Sequence, residues 1–185
     1  MSATLSDAWG SLSQFKATPF PPDYPDNVKH IFAPVDQVHE AFLALIQCTD
    51  LSSLHASMYG WDDDQISDLF QSALTTEHIP VVLCLDSSQA GGVHEKAIIA
   101  KYPTGELGNQ VVIGRSSKGA INHDKLIVIN QLVTICGSTN LSAGGEGKQN
   151  NEATIVLDRA FAAETITRIM VIHSEMAQQM ATASA

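Results

Sequence analysis

The seven residues Ile79-Pro80-Val81-Val82-Leu83-Cys84-Leu85 carry no charge and show no alternation of polar and apolar positions. A strand of this kind is buried on both faces, so layers must cover each side of the sheet that holds it. The preceding segments supply one layer. Val38, Phe42, Leu45 and Ile46 share a face at helical spacing, and so do Ile66, Leu69, Phe70 and Leu74. Residues 30–33 and 51–58 read as strands before these helices. Further on, 111–114, 125–129, 133–136 and 153–157 read as strands, the middle pair a hairpin across Asn130-Gln131, and 161–180 reads as a closing helix with Ile166, Ile169, Met170 and Ile172 toward the core. Strands and helices alternating in this way predict an α/β fold with a mixed, largely parallel sheet flanked by helices.

A chain of 185 residues fits one domain of about 100 to 200 residues. Residues 1–27 end in the cluster Pro19, Pro21, Pro22 and Pro25 and read as an N-terminal arm or linker with a short helix near Trp9; residues 28–185 read as the domain proper. The triplet Asp62-Asp63-Asp64 is read as helix capping rather than as metal ligands, because Asp favours first turns. Gly144, Gly145 and Gly147 are placed in a polar loop. Cys48, Cys84 and Cys136 sit in apolar runs without CxxC spacing, which predicts buried free thiols instead of disulfides or zinc ligands. The first residues lack the pattern of a signal peptide and no 18-residue apolar run exists, so a cytoplasmic protein without stable membrane insertion is expected.

The net charge of −10 argues against a uniformly basic, polyanion-binding surface. Its distribution is uneven. From Lys96 to Lys148 there are six basic residues and three acidic ones, a balance of +3 that leaves −13 on the remainder. This suits an anionic group bound at one place.

That basic stretch contains His123-Asp124-Lys125, an apolar run to Ile129, Gly137-Ser138-Thr139-Asn140, and Lys148-Gln149-Asn150-Asn151-Glu152. Residues two apart on a strand share a face, so His123 and Lys125 project together, as do Ser138 and Asn140. An imidazole, an ammonium, a hydroxyl and a carboxamide are donors for a phosphoryl group. Histidine can act as nucleophile or general acid, and Glu152 could hold its far nitrogen. An isolated His-x-Lys would be no more than a strand-end histidine beside a snorkelling lysine. The second such pair, His94 and Lys96, has no matching elements after it and reads as a surface feature.

In this combination the sequence resembles the phospholipase D superfamily, whose HxKxxxxD motif is followed by GSxN. The resemblance extends from Ile31 to the end and implies one HKD motif per chain and a phospholipase D-like catalytic domain over 28–185. It implies catalytic roles for His123, Lys125, Asn140 and Glu152, with Ser138, Lys118 and Lys148 binding substrate. It further implies a homodimer that pairs two motifs, a phosphohistidine intermediate, and no cofactor or metal. Asn130 departs from the pattern by replacing the motif Asp, which the family places behind the catalytic face, so weakened support is expected there. The resulting expectation is a metal-independent phosphodiesterase similar to small dimeric bacterial endonucleases, with nucleic acid as substrate. The alternatives are a phospholipase D acting on phospholipids, for which the closing helix offers little basic surface, and a weakened phosphate-binding module.

Overall fold

The computed structural model describes residues 3–89, 93, 96–97, 100–101 and 110–183. Seven strands form one sheet in the order β1-β7-β6-β5-β2-β3-β4: β1 (Val28–Ala33), β2 (Leu54–Met58), β3 (Val81–Asp86), β4 (Val111–Gly114), β5 (Lys125–Ile129), β6 (Val133–Gly137) and β7 (Asn151–Leu157). The expected α/β, mixed sheet with flanking helices is present, but it is not largely parallel. Among the described residues only β2–β3 and β3–β4 pair in parallel, while the other four strand pairings are antiparallel. The connections explain this. Parallel neighbours need a crossover, and antiparallel ones can be joined by a tight turn. Asn130 and Gln131 both adopt φ of 53°, a primed two-residue turn that forces β5 and β6 antiparallel.

Alternation along the strands divides the core between two faces. Leu54, Ala56 and Met58 of β2, Leu83 of β3, and Ile127 and Ile129 of β5 face α2 (Val38–Ile46) and α3 (Asp64–Thr75). Cys84, Val112 and Val128 face the closing helix Arg159–Ala183 through Ile169, Ile172 and Met176. Fully burying a large apolar side chain contributes about 1.5–3 kcal/mol, and Phe42, Phe70 and Trp61 are all below 2% exposed. The expectation for Met170 is corrected: it is 43% exposed, because Ile169 and Ile172 already fill the sheet-facing stripe and Met170 lies beside it.

The N-terminal segment packs on this core. A Thr4 capping box opens α1 (Leu5–Gly10), and Leu5, Ala8 and Leu12 are buried against α2. Lys16 forms a 2.5 Å ion pair with Asp36, which also accepts from Ala17 N and Phe32 N at 2.8 Å. These bonds hold the Asp36 carboxyl below its usual range, despite the opposing effect of burial. Asp63 caps α3, its Oδ1 accepting from Ile66 N at 2.8 Å. The polar loop expected at Gly144–Gly147 is a short helix, Ala143–Gly147, capped by Ser142. Cys48 and Cys84 are buried free thiols, each pushed up to about 12, chiefly by burial. Cys136 is also free, but only half-buried. His94, most of the 90–101 segment and residues 102–109 lie outside the described residues; Lys96 is exposed. Among the described residues no helix is long and apolar enough to cross a membrane.

Candidate active site

His123 lies in the short stretch that leads into β5, and its neighbours are fastened while its own side chain is exposed. Asp86, fully buried at the end of β3, accepts from Asn122 N at 2.6 Å, from Ser88 N at 2.8 Å and from the Ser88 hydroxyl. Asn122 Nδ2 donates to Ser57 Oγ on β2 at 2.9 Å. One residue beyond His123, the Asp124 carbonyl accepts from Tyr59 N at 2.9 Å. The backbone is therefore held on both sides of His123. Among the described residues its imidazole has no hydrogen-bond partner, and its ring stands 4.8 Å from that of Tyr59.

Tyr59 also lies beneath the lysine. Lys125 Nζ is 4.9 Å from the Tyr59 ring centroid and donates to the His123 carbonyl at 2.9 Å. Lys125 is only 7% exposed, and its stem lies on the α2 face with Phe42 and Met58 around a gap of about 10 Å³ that Thr139 and Glu152 also border. Burial pulls its ammonium below the ordinary lysine range, with the Asp124 charge partly opposing that. Two of its three N–H donors remain available to an anion. The Tyr59 hydroxyl accepts from Gln89 Nε2 at 2.9 Å.

Asn140 joins the same floor from β6. Its Oδ1 accepts from Gly60 N at 3.1 Å and the Leu141 amide donates to the Gly60 carbonyl at 3.2 Å, leaving the Asn140 Nδ2 donors without a partner among the described residues. A Cβ on Gly60 would meet Asn140 Cγ at 3.1 Å, so this approach depends on a small residue. His123, Lys125 and Asn140 are thus gathered around Tyr59-Gly60. Sequence reasoning gave Tyr59, Asp86 and Asn122 no part in the site. An aromatic following β2 and a buried acid ending β3 were the available signals.

The other expected residues are placed differently. The Ser138 hydroxyl accepts from Glu152 N at 3.0 Å and donates to Asn151 Oδ1 at 3.2 Å, so it ties β6 to β7. The Glu152 carbonyl accepts from Ser138 N and from Thr139 Oγ1, at 3.0 and 2.8 Å. Gly137 permits this closeness: its φ is 148° and a Cβ would lie 2.4 Å from the Glu152 oxygen. Glu152 lies near Lys125 without hydrogen-bonding His123. Lys118 and Lys148 are exposed, and among the described residues neither hydrogen-bonds His123 or Lys125. Asn130 is at the far end of β5, about 16 Å from Lys125 at about 3.3 Å per residue. Its Oδ1 accepts from Ser52 N at 2.7 Å and Ser53 N at 3.3 Å, and its Nδ2 donates to the Asp50 carbonyl at 2.9 Å. A carboxylate could make the first two bonds and not the third.

A family model described as the cardiolipin synthase, PLD-like domain matches residues 43–175, which include this whole cluster. The chain belongs to the phospholipase D-like family. Solved phospholipase D-like structures share the fold. Nuc from Salmonella typhimurium, a phospholipase D family member, superposes with a TM-score of 0.68 at 17% identity, over 80% of this chain and 94% of that one. NucT from Helicobacter pylori gives 0.61 at 13% identity over 82% and 95%. Phosphatidylserine synthase from Haemophilus influenzae gives 0.55 at 11% identity over 79% of this chain and 38% of that one. No curated protein matches the chain.

Proposed function

We propose that this phospholipase D-like chain hydrolyses phosphodiester bonds of nucleic acid, as a homodimer and through a phosphohistidine intermediate. The observation that carries the reading is the isolated imidazole of His123, exposed beside the buried Lys125 ammonium and the free Asn140 amide. A nucleophile needs an unshared lone pair, and a phosphoryl transition state needs charge around its equatorial oxygens. Both are here. One motif supplies one histidine, whereas the reaction uses a nucleophile and a proton donor, so the site is completed by a second copy across a twofold axis.

In the first step a ring nitrogen of His123 bonds to phosphorus and the bond from phosphorus to the leaving oxygen breaks. The leaving oxygen takes a proton from the imidazolium of His123 of the partner subunit. In the second step that imidazole, now neutral, removes a proton from water as the water oxygen attacks the phosphohistidine. Cleavage of the P–N bond restores both histidines. Lys125 and Asn140 hold the non-bridging oxygens throughout, and no step requires a metal.

Size supports nucleic acid over lipid. The chain spans nearly the full length of Nuc and NucT but little more than a third of the phosphatidylserine synthase. The exposed Lys118 and Lys148 belong to the locally positive stretch and would hold the substrate backbone beyond the reacting phosphate. The deciding experiment offers plasmid DNA, single-stranded oligonucleotide and phosphatidylcholine vesicles in EDTA, beside a His123→Ala control. Nucleic-acid cleavage that the substitution abolishes is expected. Choline release without nicking would establish the phospholipase reading instead, and oligonucleotide binding without turnover would establish a phosphate-binding module.

A further inference from the structure

A second histidine cluster lies apart from the Tyr59 floor and takes no part in the proposed chemistry. His39 on α2, Asp63 at the N-cap of α3 and Glu146 in the short helix Ala143–Gly147 converge, with one ligand atom from each lying within 4.8 Å of the others. His39 Nδ1 is 2.8 Å from Asp63 Oδ2 and 2.7 Å from Glu146 Oε2. Its other nitrogen, Nε2, meets Gln65 Oε1 at 2.9 Å.

The hydrogen count makes this arrangement informative. A carboxamide oxygen only accepts, so His39 Nε2 carries the proton in that bond. In the neutral ring this leaves a lone pair on Nδ1, aimed at two carboxylate oxygens. Three acceptors that face one another need a cation between them. Among the described residues no lysine or arginine reaches Asp63 or Glu146. Glu146 is 5% exposed, and its Oε1 is buried without a hydrogen-bond partner among the described residues.

We propose that His39, Asp63 and Glu146 bind one divalent transition-metal ion, with Zn²⁺ the best fit. Imidazole and carboxylate are both zinc ligands, and three of them leave the fourth tetrahedral position open, whereas Ca²⁺ takes six to eight oxygens. Ligands at about 2.0–2.1 Å on a tetrahedron stand about 3.3 Å apart, so the two separations from His39 Nδ1 need to open by only about half an ångström. The Gln65 contact is the outer hydrogen bond that fixes a metal-binding histidine's tautomer. A cavity of about 540 Å³, lined also by Gln37, Asp62 and Asp64, leaves room for water at the fourth position. Asp63 Oδ1 continues to cap α3 while Oδ2 serves the ion. The ion would tie α2, α3 and the short helix together. That helix connects Asn140 to Glu152, and a Cβ on its Gly145 would lie 2.5 Å from the Asn140 carbonyl, so the clamp fixes a segment bounded by active-site residues.

The test is a calorimetric titration of ZnCl₂ into full-length protein that has been treated with chelator and then freed of it. One zinc per chain is expected, and at a hundredfold excess over Kd the melting temperature should rise by about 5–10 °C. Glu146→Gln should weaken binding at least tenfold and Gln65→Ala about 10- to 100-fold, while His123→Ala should bind zinc as the unaltered protein does. Absence of heat and of any melting shift at about 1 mM zinc would overturn the site and leave a proton as the shared cation. Undiminished binding in both Glu146→Gln and Gln65→Ala would place zinc elsewhere. Gln65 is exposed, so its variant tests the site even where Glu146→Gln fails to fold. Co²⁺ added to the unaltered protein should give visible bands of a four-coordinate ion, and their absence would also count against the proposal.

Discussion

Two histidines in this chain have opposite surroundings. His39 has both nitrogens engaged, between two carboxylates on one side and a carboxamide on the other. His123 has an exposed ring with no hydrogen-bond partner among the described residues, beside a lysine whose ammonium is partly desolvated. A histidine enclosed by polar groups from three elements ties parts of a structure together; one with an open nitrogen can form a bond to substrate. The fold invests differently in each. At His39 it fixes the side chain, and at His123 it fixes the backbone on either side through Asp86, Asn122 and Tyr59 while leaving the ring free.

Substituting the two histidines should therefore give opposite results, and that is the strongest way to break the comparison. His123→Ala should lower the phosphodiesterase rate by about 10²–10⁴-fold or more, with the melting temperature almost unchanged. His39→Ala should instead reduce stability by about 2–3 kcal/mol, since two carboxylates are left facing each other; equal stability of the two variants in urea melts would refute the distinction. Mixing sharpens it further. If each site takes a histidine from both subunits, equal amounts of wild-type and His123→Ala chains allowed to exchange should retain about a quarter of the wild-type activity, against about half for independent sites.

Lys125 supplies the pH dependence. Burial lowers its folded pKa, so the charged form is complete only at pH values below that lowered value and is lost at a lower pH than for an ordinary lysine near about 10.4. The alkaline limb of the rate profile should consequently fall below the free-lysine value, and Lys125→Arg should move whatever activity remains to a limb at higher pH. An unchanged limb in the arginine variant would assign that titration to another group.

Smaller effects are expected away from both histidines. Asp36→Ala removes the counter-ion of the half-buried Lys16 and should cost about 1–2 kcal/mol, measured by urea melts; no measurable loss would mean that the N-terminal segment contributes little to the fold. Asn130→Asp restores the family residue but replaces the donor to the Asp50 carbonyl with an acceptor. It should cost about 1 kcal/mol and change the rate by less than about twofold, because the site lies about 16 Å away. A large gain in activity would show that Asn130 does weaken the catalytic face.

The parts of this picture that were legible in the sequence are those written in local patterns. The buried strand over 81–86, the helix following the Asp triplet, the hairpin at Asn130-Gln131 and the spacing of His123, Lys125 and Asn140 could all be read from periodicity and turn chemistry. Strand direction could not, since the apolar pattern of a strand does not name its neighbours; hence the sheet came out mainly antiparallel. Contacts between distant residues were equally hidden. Asp86 meets Asn122 across 36 residues and His39 meets Glu146 across 107. Asp63 looked like a helix cap and is one, but its second oxygen has a role that no spacing rule reveals.

The account depends most on His123 becoming covalently bonded to substrate phosphorus. Full-length protein mixed with an oligonucleotide in EDTA, quenched during turnover under alkaline conditions and digested for mass spectrometry, tests this directly. An acid-labile adduct joining the phosphorus of a nucleotide to the peptide containing His123, absent from His123→Ala, is the predicted result. Active turnover with the adduct on another residue, or with unmodified His123 throughout under conditions that preserve phosphohistidine, would contradict it.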